Sequence, residues 1–354
     1  MGLRDIRTKI DLIDFEIVKL LNRRFEYALR TKNLKSNVED PGREAQILEA
    51  DGFRSDTLVR SEFSRRVFRE ILAESKELQS ANPKLIGFQG EHGAYSEVAA
   101  MRLNPSWIPI PCGSFFEVFE AVESGQFEYG VVPIENSLEG AVTQVNDLLV
   151  EKDLTIEAEI HVPVHHCLLS LAETHQQDIR VVYSHPQALG QCRGYLQRHQ
   201  IEPLPFYDTS GAAMMLSKER PRATAAIASE LCAELYGLKI VKERIEDHPS
   251  NSTRFVLLSR SNDSDEGEKC SIVFSTPHRA GALLSVLALF SEAGINLTRI
   301  ESRPVRIDPG RYAFLLDFEG SKRDERIQTV LKKIESDALI FKFLGCYSEV
   351  RATP

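Results

Sequence analysis

The 354-residue sequence lacks several features that mark large classes of proteins. It has no basic surplus, since its net charge is −9, and this argues against a nucleic-acid-binding protein. No apolar run reaches the roughly 18 residues of a membrane span, and the N-terminus lacks the apolar region of a signal peptide. The six cysteines show neither CxxC nor zinc-ligand spacing. We therefore expect a cytoplasmic protein with reduced thiols that binds neither membrane nor nucleic acid.

The composition that remains is ordinary, with 42% hydrophobic and 27% charged residues. The chain is too long for one ordinary hydrophobic core and predicts two or three domains. Cations are concentrated in residues 1–80, which carry 16 Lys and Arg against 15 Asp and Glu, whereas the remainder is acidic. This segment is therefore the better place to look for an anionic substrate.

Residues 3–80 have the three-to-four-residue apolar spacing of packed helices. The first helix is predicted from about residue 3 to residue 34, a length of about 45 Å. No neighbouring segment is long enough to cover it, so a second copy of the chain is expected to pack against it. Its apolar stripe consists of Ile6, Ile10, Ile13, Ile17 and either Leu20 or Leu21.

Two further helices are predicted in this segment. Pro41-Gly42 is expected to break the first helix, after which a short helix covers residues 44–50 and a third covers residues 57–79. The side chains of the third helix that are expected to face inward are Phe63, Val67, Phe68, Ile71, Leu72 and Leu78.

Polar residues of these helices share faces in a way that suits a small dianion. Arg24 and Lys35 are eleven residues apart, about 20° on a helical wheel, and Ser75 and Gln79 are one turn apart. A solvated helix surface with routine ion pairs is an equally good interpretation of these residues alone.

Residues 1–80 resemble a chorismate mutase of the AroQ type. The resemblance rests on the segment from Ile6 to Asp14, the Arg23-Arg24 pair, Lys35, and Asp40-x-x-Arg43-Glu44. It implies a Claisen rearrangement by positioning and electrostatics alone, with Lys35 and Gln79 at the ether oxygen and Arg7 supplied by a partner subunit. A domain kept only for dimerisation remains an alternative. The chorismate-binding residues that the resemblance implies are Arg7, Arg24, Lys35, Asp40, Arg43, Glu44, Ser75 and Gln79.

From Lys84 to about residue 260 strands and helices alternate, which predicts a parallel sheet with crossover helices. The apolar run from Tyr129 to Ile134 ends in Glu135 and Asn136, and ligands of open α/β sheets bind at the carboxyl ends of strands. Polar segments that adjoin other strands are expected to converge on the same cleft. They contain Ser184, Gln191, Asp208 and Thr253.

Two other patterns in this region have plainer interpretations. The glycine-rich segment from Gly87 to Ser96 predicts a tight strand-to-helix turn, since its spacing is not that of a nucleotide fingerprint. His161, His165 and His166 could suggest a metal site, but apolar neighbours and strand alternation favour structural histidines.

Residues 84–260 resemble prephenate dehydratase. The motifs that carry the resemblance are Gly87-x-x-Gly90-x-x-Gly93-x-Tyr95-Ser96, Pro133-Ile-Glu-Asn-Ser137, Ser184-His-Pro-Gln187, Gln191-Cys192 and Thr253-Arg-Phe255. It implies a two-lobed fold like that of type II periplasmic binding proteins, with prephenate between the lobes. It also implies that Thr253 donates to the departing hydroxyl while Glu135 holds or relays the proton, with His185 as the rival acid. The implied site residues are Glu135, Asn136, Ser184, Gln191, Asp208 and Thr253.

The polar segment 259–269 has the composition of a linker, and the βαββαβ pattern that follows predicts a ferredoxin-like fold. This region resembles an ACT domain, with motifs at Gly281–Leu284 and Glu301–Pro304. The resemblance implies a phenylalanine site at a subunit interface, and a pairing module that binds nothing is the alternative. The implied phenylalanine-binding residues are Gly281, Ala282, Leu283, Leu284, Asn296, Leu297, Glu301, Ser302, Arg303 and Pro304, with the loop 276–281 beside them.

Together these patterns predict three domains. They are an all-α domain over residues 1–82, a two-lobed α/β domain over 84–260 and an α+β ACT domain over 270–348. The resemblances imply that the chain converts chorismate to prephenate and then to phenylpyruvate, under feedback inhibition by L-phenylalanine and without a cofactor or metal. A homodimer or higher homo-oligomer is expected. A monofunctional dehydratase, or a small-anion or amino-acid binding protein without turnover, are the alternatives.

Overall fold

The structure is a computed structural model that describes residues 2–34, 37–49, 58–261, 266–305 and 312–351. The chain divides into two compact units, one comprising Met1–Lys84 with Gly125–Phe127 and the other comprising the rest. No helix within those ranges is long and apolar enough to span a membrane.

The first unit is all-helical, as predicted. Its helices are α1 (Leu3–Arg30), α2 (Pro41–Glu49) and α3 (Ser61–Ser80), and a 3-10 turn at Lys32–Leu34 follows α1. α1 ends at Arg30, before the predicted residue 34 and well before Pro41. Pro41 instead begins α2, because the first position of a helix needs no N–H donor. The Asp40 carboxylate accepts from the backbone N–H of Arg43 over 2.9 Å, which stabilises that first turn.

The apolar stripe of α1 is largely uncovered within one chain. Ile10, Ile13 and Ile17 are 50%, 57% and 49% exposed, and on α3 Phe63 is 48% exposed. The prediction that Phe63 and Val67 face inward is therefore wrong for the single chain, since one small helical unit offers too few neighbours to cover them. Leu29 is the one large apolar side chain in the described parts of α1–α3 that is fully buried.

The second unit begins with an α/β lobe and continues into a second one. The first lobe has a parallel core of β1 (Leu85–Gln89), β2 (Ile108–Cys112) and β3 (Tyr129–Asn136), with β4 (Gly140–Ala141) and β5 (Thr155–Pro163). Its helices are α4 (Tyr95–Leu103), α5 (Phe115–Glu123) and α6 (Thr143–Glu151).

The second lobe contains β6 (Cys167–Ser170), β7 (Val181–Ser184), β8 (Glu202–Pro205), β9 (Thr224–Ala228) and β10 (Lys239–Lys242). These strands form a sheet in the order β10-β6-β9-β7-β8, with α7 (Pro186–Gln191), α8 (Arg193–His199), α9 (Thr209–Glu219) and α10 (Glu230–Tyr236).

The chain returns to the first lobe as β11 (Ser252–Ser259), which is antiparallel to both β3 and β5. Two segments therefore cross between the lobes. They are hydrogen-bonded to each other, since Val164 N–H donates to Asn251 C=O over 2.9 Å and Ile245 N–H donates to His166 C=O over 3.0 Å. This paired crossover is the hinge of the two-lobed fold.

The glycine-rich turn before α4 packs against the second lobe. Gly93 has a φ of +93°, and a Cβ at this position would lie 2.4 Å from the Cys232 sulfur. The backbone N–H of Gly93 donates to Glu97, and Ser229 donates to the Gly93 carbonyl. The glycine therefore permits a close approach of the lobes at this point.

The last segment has the predicted βαββαβ order. Its elements are β12 (Lys269–Ser275), α11 (Ala282–Glu292), β13 (Leu297–Pro304), β14 (Tyr312–Glu319), α12 (Glu325–Asp337) and β15 (Phe341–Glu349). Its strands follow the order β13-β14-β12-β15, and Ser348 and Glu349 at the end of β15 pair in parallel with Ala158 and Glu159 of β5. The ferredoxin-like sheet is thus continuous with the sheet of the first lobe, which the sequence did not predict.

Candidate active and regulatory sites

The first candidate site lies where β3 and β11 end side by side. Thr253 is directly opposite Asn136, and the Asn136 amide nitrogen donates to the Thr253 hydroxyl oxygen over 2.9 Å. The orientation of this amide is fixed at its other end, because its oxygen accepts from the backbone N–H groups of Leu138 and Glu139 at 3.0 and 3.1 Å. Since the Thr253 oxygen accepts from Asn136, the hydroxyl proton remains available for a ligand.

Asn251 extends this arrangement to the second lobe. It accepts from the Asn136 amide over 2.8 Å and donates to the side-chain oxygen of Gln191 over 3.2 Å. Three predicted residues, Asn136, Thr253 and Gln191, are thereby brought together across the hinge. Asn251 is buried and was not predicted as a site residue, although its place two residues before Thr253 could have suggested it.

Glu135 is not part of this group. Neighbouring residues of a strand face opposite sides of the sheet, and Glu135 pairs in register with Arg254, whereas Asn136 pairs with Thr253. The Glu135 carboxylate lies 3.1 Å from Nη1 of Arg254 and 3.5 Å from Nε of Arg299. This position on the other face does not support the expected role of Glu135 as a proton holder beside Thr253.

The face that carries Glu135 contains a buried charge network around Arg254. The Arg254 guanidinium donates to Asp317 over 2.8 Å, to Glu159 over 2.6 Å and to the Tyr347 hydroxyl over 3.0 Å. Burial opposes the charge of Arg254, but these anionic neighbours outweigh it and raise its pKa. Because Asp317 and Tyr347 belong to β14 and β15, the network joins the dehydratase-like lobe to the ferredoxin-like sheet.

Ser184 and Asp208 lie in the second lobe with their polar atoms partly engaged. The Ser184 hydroxyl is fully buried and donates to the Ile227 carbonyl over 2.6 Å, so it holds β7 to β9. One Asp208 oxygen caps α9 through Gly211 N–H at 2.8 Å. The other lies 3.9 Å from where a Cβ on Gly90 would be, facing the first lobe.

His185, the rival acid, is the N-cap of α7. Its Nδ1 accepts from the backbone N–H of Gln187 over 3.3 Å. With Nδ1 engaged as an acceptor in this cap, the remaining ring nitrogen, Nε2, is the one that could act as an acid.

In the helical unit, the predicted polar residues of α1 and α3 face each other. Arg24 donates to the Ser75 hydroxyl over 2.6 Å, and Gln79 donates to the Ala28 carbonyl over 3.0 Å. Burial lowers the pKa of Arg24.

The remaining predicted mutase residues are more dispersed. Asp40 caps α2, Glu44 pairs with Lys76 at 3.1 Å, and Arg43 donates to Gln46 over 3.3 Å. Arg7 is exposed on α1, and Lys35 lies outside the described residues.

The ferredoxin-like segment contains a cavity of about 150 Å³ beside the start of α11. Ala282 and Leu283 of the first predicted motif contribute to it, whereas Leu284 is 70% exposed. The residues that line it are Thr276, Pro277, His278, Arg279, Ala282, Leu283, Tyr312 and Phe314.

The second predicted motif lies on β13 and reaches towards α6. Arg303 pairs with Asp147 at 2.5 Å, and Arg299, four residues earlier, donates to Asn146 over 2.5 Å. Within the described part of the chain, neither Asn296 nor Leu297 nor the segment Glu301–Pro304 lines the cavity. Within one chain, therefore, the first motif contributes to the cavity, whereas the second motif lies away from it and contacts α6.

Three family models match consecutive parts of the chain. Chorismate mutase type II matches residues 6–80, prephenate dehydratase matches 86–263, and the ACT domain matches 271–336. These matches follow the order of the helical unit, the two lobes and the ferredoxin-like segment.

Individual relatives agree over most of the length. The bifunctional chorismate mutase/prephenate dehydratase of Neisseria gonorrhoeae is 35% identical over 347 residues, which is 96% of this chain and 95% of that protein. The solved structure of the prephenate dehydratase of Arthrobacter aurescens in complex with L-Phe is 33% identical, with a TM-score of 0.71 over 76% of this chain and 92% of that one. A structure described as a quorum-quenching acylase is also 33% identical, with a TM-score of 0.70 over 77% of this chain and 99% of that one. The chain belongs to the family of bifunctional chorismate mutase/prephenate dehydratases, and in this chain both enzyme domains precede the ACT domain.

Proposed function

We propose that the cleft beside β3 and β11 dehydrates and decarboxylates prephenate, with Thr253 as the donor to the departing hydroxyl. The observation that supports this proposal is the hydrogen bond from Asn136 to Thr253, in which the Thr253 oxygen accepts and its own proton stays available for donation. Asn136 both orients this hydroxyl and favours partial negative charge on its oxygen as the proton is shared.

The reaction needs few chemical groups from the protein. The bond from the ring to the carboxylate breaks to release CO2, its electron pair enters the ring, and the hydroxyl on the opposite carbon leaves with a proton as water. The ring becomes aromatic, which supplies the driving force. The enzyme has to orient the dianion and stabilise the developing charge on the leaving oxygen, and positioned neutral donors are suited to this task.

The helical unit is proposed to make prephenate from chorismate. Arg24, Lys35 and Arg43 supply positive charge for the two carboxylates, and Lys35 with Gln79 stabilises the ether oxygen as its bond breaks. In the single chain Gln79 donates to the Ala28 carbonyl with one N–H, so its second N–H is the one that would serve the substrate.

A homo-oligomer is part of this proposal. The uncovered stripe of α1 is a large apolar surface of the kind that marks a protein interface. A second α1 would cover it and would bring Arg7 of the partner chain to the substrate. Arg7 is exposed in the single chain, which suits a residue that acts in the other subunit.

L-phenylalanine is proposed to inhibit the dehydratase by binding beside α11. A cavity of about 150 Å³ with Leu283, Tyr312 and Phe314 in its wall suits an aromatic side chain. We also propose a cytoplasmic location, since the six cysteines are all buried and free.

Assays with two substrates and two variants test the assignment of activities. With chorismate, wild-type protein should form prephenate and then phenylpyruvate. Lys35→Ala should abolish the first step and leave the second intact when prephenate is supplied, and Thr253→Val should do the reverse. A wild-type protein that converts neither substrate would overturn the proposed function.

A further inference from the structure

His166 occupies the hinge between the lobes, in the first of the two crossing segments. It is 2% exposed, and its ring lies between Tyr95 of α4 and Gln191 at the end of α7. The neighbouring His165 is different, because its ring pairs with Glu246 at 2.8 Å and its side chain is 32% exposed.

The contacts of His166 define which ring nitrogen carries the proton. Nε2 lies 2.8 Å from the side-chain oxygen of Gln191, and this oxygen can only accept. Nε2 must therefore be the donor. Nδ1 lies 3.2 Å from the Tyr95 hydroxyl, whose stronger hydrogen bond, at 2.5 Å, goes to the His165 carbonyl. Burial lowers the pKa of His166, which agrees with a neutral ring protonated at Nε2.

This hydrogen bond determines the orientation of the Gln191 amide. The Gln191 oxygen accepts from two donors, His166 Nε2–H and the Asn251 amide at 3.2 Å. With the oxygen turned towards the protein, the Gln191 nitrogen turns away from it. Among the described residues this nitrogen has no hydrogen-bond partner, and Gln191 is only half-buried. Its two N–H groups are therefore open to a ligand in the cleft.

We propose that His166 is a positioning residue for the dehydratase, which holds the Gln191 amide so that its two N–H groups bind a carboxylate of prephenate. If the amide turned over, its oxygen would face the substrate carboxylate and repel it. Asn251 donates to the same oxygen and is itself oriented by Asn136, so His166 and Asn251 hold the Gln191 amide from two sides. Without His166, only the donor at 3.2 Å from Asn251 would remain to hold the Gln191 oxygen. This inference rests on the proposed dehydration of prephenate.

A pair of substitutions separates this role from simple filling of space. His166→Gln keeps an N–H donor for the Gln191 oxygen, whereas His166→Met has similar length without a donor. His165→Gln is the matched control, since it changes the adjacent histidine that does not contact Gln191. The steady-state kcat and KM for prephenate are measured on the full chain for all three variants and for the wild type, with thermal unfolding as the check of folding.

We expect His166→Met to raise KM for prephenate by about tenfold or more, the usual effect of losing a hydrogen bond to a charged group. His166→Gln should restore KM to within about threefold of wild type, and His165→Gln should leave it unchanged. Equal defects in His166→Met and His166→Gln, or a normal KM in His166→Met, would overturn the proposal.

A spectroscopic measurement tests the same proposal on the wild-type protein. The ring nitrogens of ¹⁵N-histidine-labelled protein should show His166 as the neutral Nε2–H tautomer at pH 7.5, assigned by comparison with His166→Gln. An Nδ1–H tautomer or an imidazolium would contradict it. If the wild-type protein does not convert prephenate at all, the proposed function fails, whereas a wild-type turnover that is insensitive to His166→Met rejects only this inference.

Discussion

Arg254 and Asp317 connect two domains through a buried hydrogen bond of 2.8 Å. Arg254 follows Thr253 on β11, and Asp317 belongs to β14 of the ACT sheet. Both side chains are 3% exposed, so the pair is shielded from water. The residue next to the proposed donor is therefore held by the regulatory domain.

Removing one charge of this pair should destabilise the second unit. Asp317→Asn leaves the buried Arg254 with less negative charge around it, and the loss of one partner of a buried ion pair typically costs about 3–5 kcal/mol. The urea unfolding midpoint, followed by fluorescence, measures this loss. The control is Glu266→Gln, since Glu266 pairs with Arg323 on the surface, where both side chains are more than half exposed. If the unfolding midpoint of Asp317→Asn were as high as that of the control, the charge network around Arg254 would contribute little to stability.

The pair of Arg303 and Asp147 should carry part of the response to phenylalanine. Arg303 lies in the second ACT motif, and Asp147 lies on α6, which follows β3 and β4. Asp147→Asn weakens this link, so the phenylalanine concentration for half-inhibition of the dehydratase should rise several-fold while the uninhibited rate changes little. Asp178→Asn, on an exposed 3-10 turn of the second lobe, should leave inhibition unchanged. An unaltered inhibition curve in Asp147→Asn would exclude this pair from the regulation.

The apolar stripe of α1 should be a subunit interface on which the mutase depends. Ile13→Asp places a charge in the centre of the stripe, which a second helix could cover only at the cost of burying it. The molar mass from light scattering should fall and the mutase rate should drop by at least about tenfold, since the site loses the partner's Arg7. Met101→Asp, at an exposed apolar position of the second unit (45% against 57% for Ile13), should change neither. A full mutase rate in an Ile13→Asp variant whose oligomer has dissociated would contradict a site shared between subunits.

Acidification should destabilise the hinge through His166. Burial lowers its pKa in the folded chain from the ordinary value of 6.5, although Glu246 raises it somewhat and His165 lowers it further. The unfolded chain therefore binds a proton more readily below about pH 6.5, and the stability that the neutral ring confers is lost as the pH falls from there through the folded pKa. The unfolding free energy of wild type minus that of His166→Gln should decrease between pH 7.5 and pH 5. A difference that stays constant over this range would argue against a neutral His166 in the folded protein.

The sequence predicts the order of the helices and strands well, but it predicts less well which of them pack or pair with one another. The βαββαβ order of the ACT segment is predicted correctly, because local patterning determines its strands and helices. The pairing of β15 with β5 could not be predicted, since it depends on how two separately folded sheets meet. The exposure of Phe63 was missed for a related reason, since it depends on which distant segments cover the side chain.

The same holds for the site, where local motifs identify residues but do not predict the hydrogen bonds between distant segments. The motif resemblance identified Asn136, Gln191 and Thr253, which the structure brings together. The separation of Glu135 from Asn136 follows from the period of two in a strand and could have been predicted from the sequence. Asn251 could have been suspected from its place beside Thr253, but the hydrogen bonds of Asn251 and His166 could not be predicted, because they join segments that are distant in the chain.

Thr253 is thus assigned as the donor in the dehydration, whereas Glu135 is assigned no direct role in it, although the two residues lie on adjacent strands. One assay with saturating prephenate compares Thr253→Val, which removes the hydroxyl, with Glu135→Gln, which removes the charge on the opposite face. Thr253→Val should lower the rate of phenylpyruvate formation at least about a hundredfold, the usual cost of losing a donor to developing charge. Glu135→Gln should stay within about tenfold of wild type. A Glu135→Gln variant without turnover, beside a Thr253→Val variant that retains it, would contradict the assignment.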